Sequence, residues 1–239
     1  MSEGMENEAI REALGDRAAL YRLLAQLYFK PLTQEQIDAL AEIDLAAVAS
    51  DDGSPFADGY NDLYRYLRKR NTGTRQELAS DYTSVFYGTQ TYKGRAAQPF
   101  ESLYRYGGGF VMGESSGEVH SALRQSYLRV KEGIDLPDDH LSFLCEFMAR
   151  QCDEIAVLIE AGCFDEALKA VGAQRAFFDA HIASWFPRFK ALASKIVATR
   201  FYRGVLKITE AYVESEPHSM AQLECDLIDL KGSQARKTA

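Results

Sequence analysis

The chain has 239 residues, a formal net charge of −8 and 46% hydrophobic residues. That length can bury one sizeable core. The acidity removes the basic footprint of a nucleic-acid binder, and no apolar run approaches the roughly 18 residues that span a bilayer.

The stretch from Met1 to Asp16 is acidic and has neither a basic n-region nor an apolar h-region, so it does not read as a signal peptide and the chain reads as cytoplasmic. Residues 1–7 read as disordered. From Glu8 to Phe29, Ile10, Leu14, Tyr21, Leu24 and Tyr28 recur at helical spacing, with Arg17 as the polar exception on that face. Pro31 ends this helix. Thr33-Gln34-Glu35-Gln36 reads as a capping box that opens a helix to about Ala49. Pro55 suits a first helical position and begins a helix to about Arg70, with Phe56, Tyr60, Leu63 and Leu67 inward. Thr74-Arg75-Gln76-Glu77 reads as a second capping box, before a helix that buries Leu78, Tyr82, Val85 and Phe86.

Residues 88–113 break regular structure with Gly88, Gly94, Pro99 and the run Gly107-Gly108-Gly109, and carry aromatic weight in Tyr92, Phe100, Tyr104, Tyr106 and Phe110. An irregular stretch of that length is often functional. Phe100 to Tyr104 suits one short turn inside it. Val119, Leu123, Tyr127, Val130 and Ile134 return to helical spacing, up to a cap at Gly133. Beyond Pro137, the apolar series Leu141, Leu144, Cys145, Met148, Cys152, Ile155 and Ile159 has Phe143 and Phe147 as a second edge, so this helix should be buried on more than one side. A helix from Asp165 to Trp185 follows, and then a long one carrying Val197, Phe201, Val205, Ile208 and Tyr212. Glu216-Pro217-His218 breaks that helix, Met220 to Leu230 is a last amphipathic segment, and residues 231–239 read as a disordered tail. No stretch alternates with period two. The fold class is all-α: one globular helical bundle of about nine or ten helices over residues 8–230, with the irregular loop at 88–113.

Chemistry concentrates at Pro137-Asp138-Asp139-His140. Pro137 stops a continuous helix. Asp138 can cap the next one, and Asp139 and His140 then fall in its first turn, on a rigid element beside a loop. Consecutive helical residues point about 100° apart, so this trio cannot converge on one metal ion without partners from elsewhere. A catalytic His–Asp pair needs a nucleophile that the sequence does not place. Gly107-Gly108-Gly109 has neither a following Lys-Ser/Thr nor a preceding strand and reads as a hinge. His181, one turn before Trp185, reads as a core histidine. Cys145 and Cys152 read as small buried residues, and Arg68-Lys69-Arg70 as a solvated helix end.

The order of these blocks resembles the TorD/DmsD/NarJ family of redox-enzyme maturation chaperones, closest in look to its TorD/DmsD branch. Tyr82-Thr83-Ser84-Val85-Phe86-Tyr87-Gly88 resembles the family's Y-x-x-L-F-x-G helix end, and Pro99-Phe100-Glu101-Ser102-Leu103-Tyr104 its P-x-E-S-V-Y element. Tyr127 to Gly133, followed by Pro137-Asp138-Asp139-His140-Leu141, resembles Y-x-x-x-G … P-x-D-H-L. Phe178, His181, Trp185 and Phe201-Tyr202 resemble its closing F-x-x-H-L-x-x-W … F-Y pattern. Leu136 stands where the family commonly has Glu, and Phe100 where it often has Trp.

The resemblance implies a non-enzymatic chaperone. Its partners would be the twin-arginine signal peptide and the apo catalytic subunit of a molybdopterin oxidoreductase of the DMSO/TMAO-reductase type. It would assist cofactor insertion and delay export. Asp139 and His140 would shape the peptide site, with Pro137 fixing their geometry. Phe86, Phe100, Tyr104 and Tyr127 would form its apolar wall, and Glu101 and Asp138 would accept guanidinium. No cofactor of its own is expected. A monomer is the default, with the Pro137 break as a possible domain-swap hinge. The rival readings are a helical metal- or nucleotide-dependent hydrolase using Asp139 and His140, and a structural subunit of a reductase complex.

Overall fold

A computed structural model of the chain describes residues 3–51, 53–105, 117, 119, 121 and 136–238. Those residues are all-helical, with no strand among them. The helices are α1 (Glu3–Phe29), α2 (Gln34–Glu42), α3 (Leu45–Ala49), α4 (Ala57–Leu67), α5 (Thr74–Val85) and the single turn α6 (Ser102–Arg105). They continue with α7 (Leu141–Glu160), α8 (Phe164–Phe178), α9 (Phe186–Ala193) and α10 (Arg200–Thr238), and a π-helical turn at Asp179–Ala183 prolongs α8. No helix of the described residues is long and apolar enough to cross a membrane.

The apolar stripe of α1 lies against α7, and α10 packs on α1, α4 and α8. The positions read from periodicity in α1 and α7 are buried, including Cys145 and Cys152. Arg17, the exception on the α1 stripe, is matched across the core. Its Nη2 lies 2.5 Å from Oε1 of fully buried Glu216 in α10, which also accepts from Tyr21 Oη at 2.7 Å. The start of α10 is tied to α5. Asp81 accepts the backbone N–H groups of Ala198 and Thr199 at 3.0 and 2.8 Å, and the Thr199 hydroxyl at 2.6 Å. A carboxylate at a helix start satisfies donors that have no partner within the helix.

Several boundaries differ from the sequence reading. α1 begins at Glu3, not Glu8. The Thr33 capping box forms, but the helix ends at Glu42, and Asp44 caps the separate short α3 through Ala47 N–H. The second capping box does not form. Thr74 Oγ1 accepts from Asn71 N–H, and Glu77 receives the Tyr66 hydroxyl at 2.7 Å instead. Pro217 does not break α10, which runs on to Thr238. Glu216 and Met220, both fully buried on either side of the proline, hold the helix against the core and outweigh the local loss of one N–H. The glycine run at 107–109 lies outside the described residues, and of the helix anticipated around residues 119–134 only Val119 and Ser121 are described, both helical.

Candidate functional site

Two proline-bearing segments meet side by side. Pro99 and Pro137 each favour extended backbone just before them. The chain at 99–101 pairs with the chain at 139–141: Glu101 N–H donates to Asp139 O at 3.1 Å and Leu141 N–H to Pro99 O at 2.9 Å. Segments almost forty positions apart are therefore joined by backbone at the two blocks that carry the most characteristic residues.

This pairing changes the roles of the acidic trio. His140 is extended (φ −70°, ψ 134°), and α7 starts one residue later. Asp139 and His140 therefore precede the helix instead of forming its first turn. His140, not Asp138, is the cap: its Nδ1 accepts Ser142 N–H at 3.2 Å and lies 2.7 Å from Ser142 Oγ. Asp139 serves a different helix. Its Oδ2 accepts Ser102 N–H at 2.9 Å, at the start of α6. Asp138, half-buried, borders them.

Glu101 is fully buried and bound from within the chain. Arg105 Nη1 lies 2.7 Å from its Oε1, and His181 Nδ1 lies 3.0 Å from its Oε2. Glu101, expected to accept a guanidinium of the peptide, is engaged within the chain by Arg105. His181 is a core histidine as anticipated, but its ring packs on Phe177 at 4.7 Å, while its carbonyl accepts the Trp185 indole N–H at 2.6 Å. Tyr104 stacks on Trp185 (5.6 Å, 16°), and Arg188 Nη1 donates to the Tyr104 carbonyl at 2.5 Å. Phe189 touches Tyr104, Trp185 and Phe86, so the block at 82–88 joins the same assembly. Gly88 closes that block at φ 74°, where an added Cβ would lie 2.9 Å from Ala96 Cβ.

The anticipated apolar wall therefore packs inward. Phe86, Phe100 and Tyr104 are buried, and Phe100 meets the His140 ring edge-on at 4.9 Å. Tyr127 lies outside the described residues. The half-buried aromatics next to His140 are Phe143 (5.8 Å) and, beyond it, Phe29 (6.1 Å from Phe143). Sequence reading placed Phe143 on a second helix edge but did not link Phe29 to the site. It also missed Arg105, although the i,i+4 spacing from Glu101 was visible, and Arg188, for which no local signal exists.

Two buried polar atoms at this joint, Asp139 Oδ1 and Ser102 Oγ, have no hydrogen-bond partner among the described residues, and neither does the buried Tyr104 hydroxyl. Burial pushes the Tyr104 phenol up and pulls the His140 imidazole down to about 3. His140 is thus a weak proton acceptor whose Nδ1 is already engaged. Among the described residues no group of three or more His, Cys, Asp and Glu side chains is placed to hold a metal ion.

The residues of the motif blocks thus cross-tie distant segments of one helical body. The model of the nitrate reductase delta subunit family matches residues 50–191, more than half of the chain. The chain belongs to that family, which is that of the TorD/DmsD/NarJ chaperones of redox-enzyme maturation. It is similar to the chaperone protein TorD of Vibrio vulnificus strain YJ016, 26% identical over 201 residues, covering 82% of this chain and 90% of that one. The chaperone protein TorD of Shewanella pealeana is 26% identical over 210 residues (84% and 87% covered), and that of Vibrio cholerae strain N16961 is 23% identical over 213 residues (87% and 93%).

Proposed function

We propose that this chain is a cytoplasmic chaperone for a molybdopterin oxidoreductase of the DMSO/TMAO-reductase type. It binds the enzyme's twin-arginine signal peptide and its apo catalytic subunit, acts as a monomer, assists cofactor insertion and delays export. The observation that supports this reading is the joint between the 99–104 and 137–141 segments, where a buried carboxylate oxygen, Asp139 Oδ1, lacks a partner among the described residues, as does the hydroxyl of Ser102, whose N–H the same carboxylate accepts. Buried polar atoms left unpaired are costly, and their retention at one place favours a ligand that satisfies them. A guanidinium supplies planar paired donors suited to a carboxylate. The net charge of −8 draws a basic peptide toward the protein. The half-buried Phe29 and Phe143 beside His140 suit the apolar run that follows the arginines, with Phe86, Phe100 and Tyr104 as backing. Asp139 is fully covered, so the peptide reaches it as the joint loosens.

Co-purification tests the reading. The tagged chaperone is co-expressed with each of its host's molybdoenzyme catalytic subunits, with and without the leader. One full-length subunit should be retained, recovery should drop several-fold without the leader, and Asp139→Asn should weaken it while leaving the fold intact. Equal recovery with and without the leader would remove the signal peptide from the function.

A further inference from the structure

The C-terminal end of α4, the start of α5 and the start of α10 bring several cationic side chains together. A cleft of about 820 Å³ there is lined by Arg65, Arg68, Lys69 and Arg200, with Glu77 as its one acid. Glu77 is engaged by the Tyr66 hydroxyl, and Arg200 by Asp62 at 3.6 Å. Arg65 and Lys69 have no ion-pair partner among the described residues, and Arg68 reaches only Tyr64, with its guanidinium 5.6 Å from that ring. Arg65, Arg68 and Lys69 stand three and four positions apart on one side of the chain, where like charges repel. The dipole of α4 favours cations at its C-terminal end. It does not account for Arg200, which arrives from the start of α10.

The cleft is continuous with an apolar shelf. A second hollow shares Tyr64 and Arg68 with it and is lined by Ile43, Leu45 and Leu67, with Asp44 and Arg70 at its charged edge. Ile43 is 50% exposed, and Val48, on the neighbouring α3, is 37% exposed. Uncompensated cations beside exposed aliphatic side chains, on a protein of net charge −8, describe a receptor for something both acidic and apolar.

We infer that this face binds an acidic peptide segment of a partner protein, seating its carboxylates at Arg65, Arg68 and Lys69 and an aliphatic side chain against Ile43 and Val48. A small phosphorylated molecule would use the cations but leave the shelf bare. A basic signal peptide would be repelled here, and the face shares no residue with the Asp139 joint, so the inference stands apart from the signal-peptide reading. The net charge of −8 disfavours non-specific attraction of an acidic segment, so the cations of this cleft add direction.

The test is fluorescence polarisation with a labelled peptide of Asp and Glu carrying two leucines, compared with its leucine-free and Lys-substituted counterparts, and with inorganic pyrophosphate as competitor. Saturable, salt-sensitive binding of the leucine-bearing acidic peptide is expected. It should weaken about tenfold or more in Arg65→Glu/Lys69→Glu and severalfold in Ile43→Ser/Val48→Ser. All four positions are surface-exposed, and circular dichroism confirms that the variants are folded. Absence of binding, or binding unchanged by the charge reversal, would overturn the assignment. Equal binding without the leucines, displaced by pyrophosphate, would overturn it in favour of a small-anion site. Displacement by a twin-arginine peptide would overturn the separation of the two faces.

Discussion

His140 turns its ring back onto its own helix, so Nδ1 serves as an acceptor and the proton resides on Nε2. Burial holds this imidazole neutral, down to about 3 from an ordinary value of 6.5. In the unfolded chain the same group protonates as the pH falls below about 6.5. Between those values the unfolded state binds more protons, so this contribution to stability is fully present above about pH 6.5 and is lost as the pH drops toward 3. Asparagine can supply the same capping acceptor without titrating. In urea titrations at a series of pH values from about 7 to about 4, wild type should therefore lose stability faster than His140→Asn, and the difference between them should shift steadily toward the variant. Parallel pH profiles would show that His140 is not held neutral. Glu101 tolerates complete burial because Arg105 and His181 hydrogen-bond its carboxylate.

Among the helices, α10 is the longest of those described, and its contact with α4 is backbone on backbone. A Cβ added to Gly204 would lie 2.4 Å from Leu63 Cδ1 and 2.7 Å from the Gly59 carbonyl oxygen; one added to Gly59 would lie 2.6 Å from Ile208 Cγ1. Leu63 is a side chain and could shift, but the carbonyl belongs to the facing helix, which would have to move as a whole. Gly204→Ala should therefore cost about 1–3 kcal/mol, against the usual gain of replacing a mid-helix glycine. The midpoint of chemical denaturation reads this directly, and an unchanged or raised midpoint would mean that the helices are not in close approach. Periodicity located the first part of α10 because Phe201, Val205, Ile208 and Tyr212 are all buried. It failed at Pro217 because a proline is a strong local signal, whereas the restraint that overrides it, Glu216 on Arg17, comes from a helix 199 positions earlier.

For the molecule as a whole, what could be read from residues was whatever one element decides for itself. Helical spacing, the Thr33 capping box, the short turn read at Phe100–Tyr104 and formed at Ser102–Arg105, and the break at Pro137 are all local. The family's motif blocks were visible as well, but their geometry was not. The joining of Pro99–Glu101 to Asp139–Leu141, the Glu101–His181 contact and the capping of α10 by Asp81 depend on how distant segments pack. For the same reason Asp138 looked like the natural cap and His140 took that place: backbone pairing with the 99–101 segment kept the chain extended through His140. Charge is also divided at this scale. An acidic body suits a basic leader peptide, whereas the cationic cleft at Arg65, Arg68 and Lys69 does not.

Recognition of the twin arginines is tested most directly by isothermal titration of the purified protein with twin-arginine signal peptides from its host's molybdoenzymes, each paired with a Lys-Lys counterpart. One peptide should bind saturably, and its Lys-Lys form should bind at least about tenfold more weakly, because lysine cannot make the paired donor contact with a carboxylate. A folded protein that binds none of the peptides, or that binds both forms equally, would contradict a guanidinium site at the Asp139 joint.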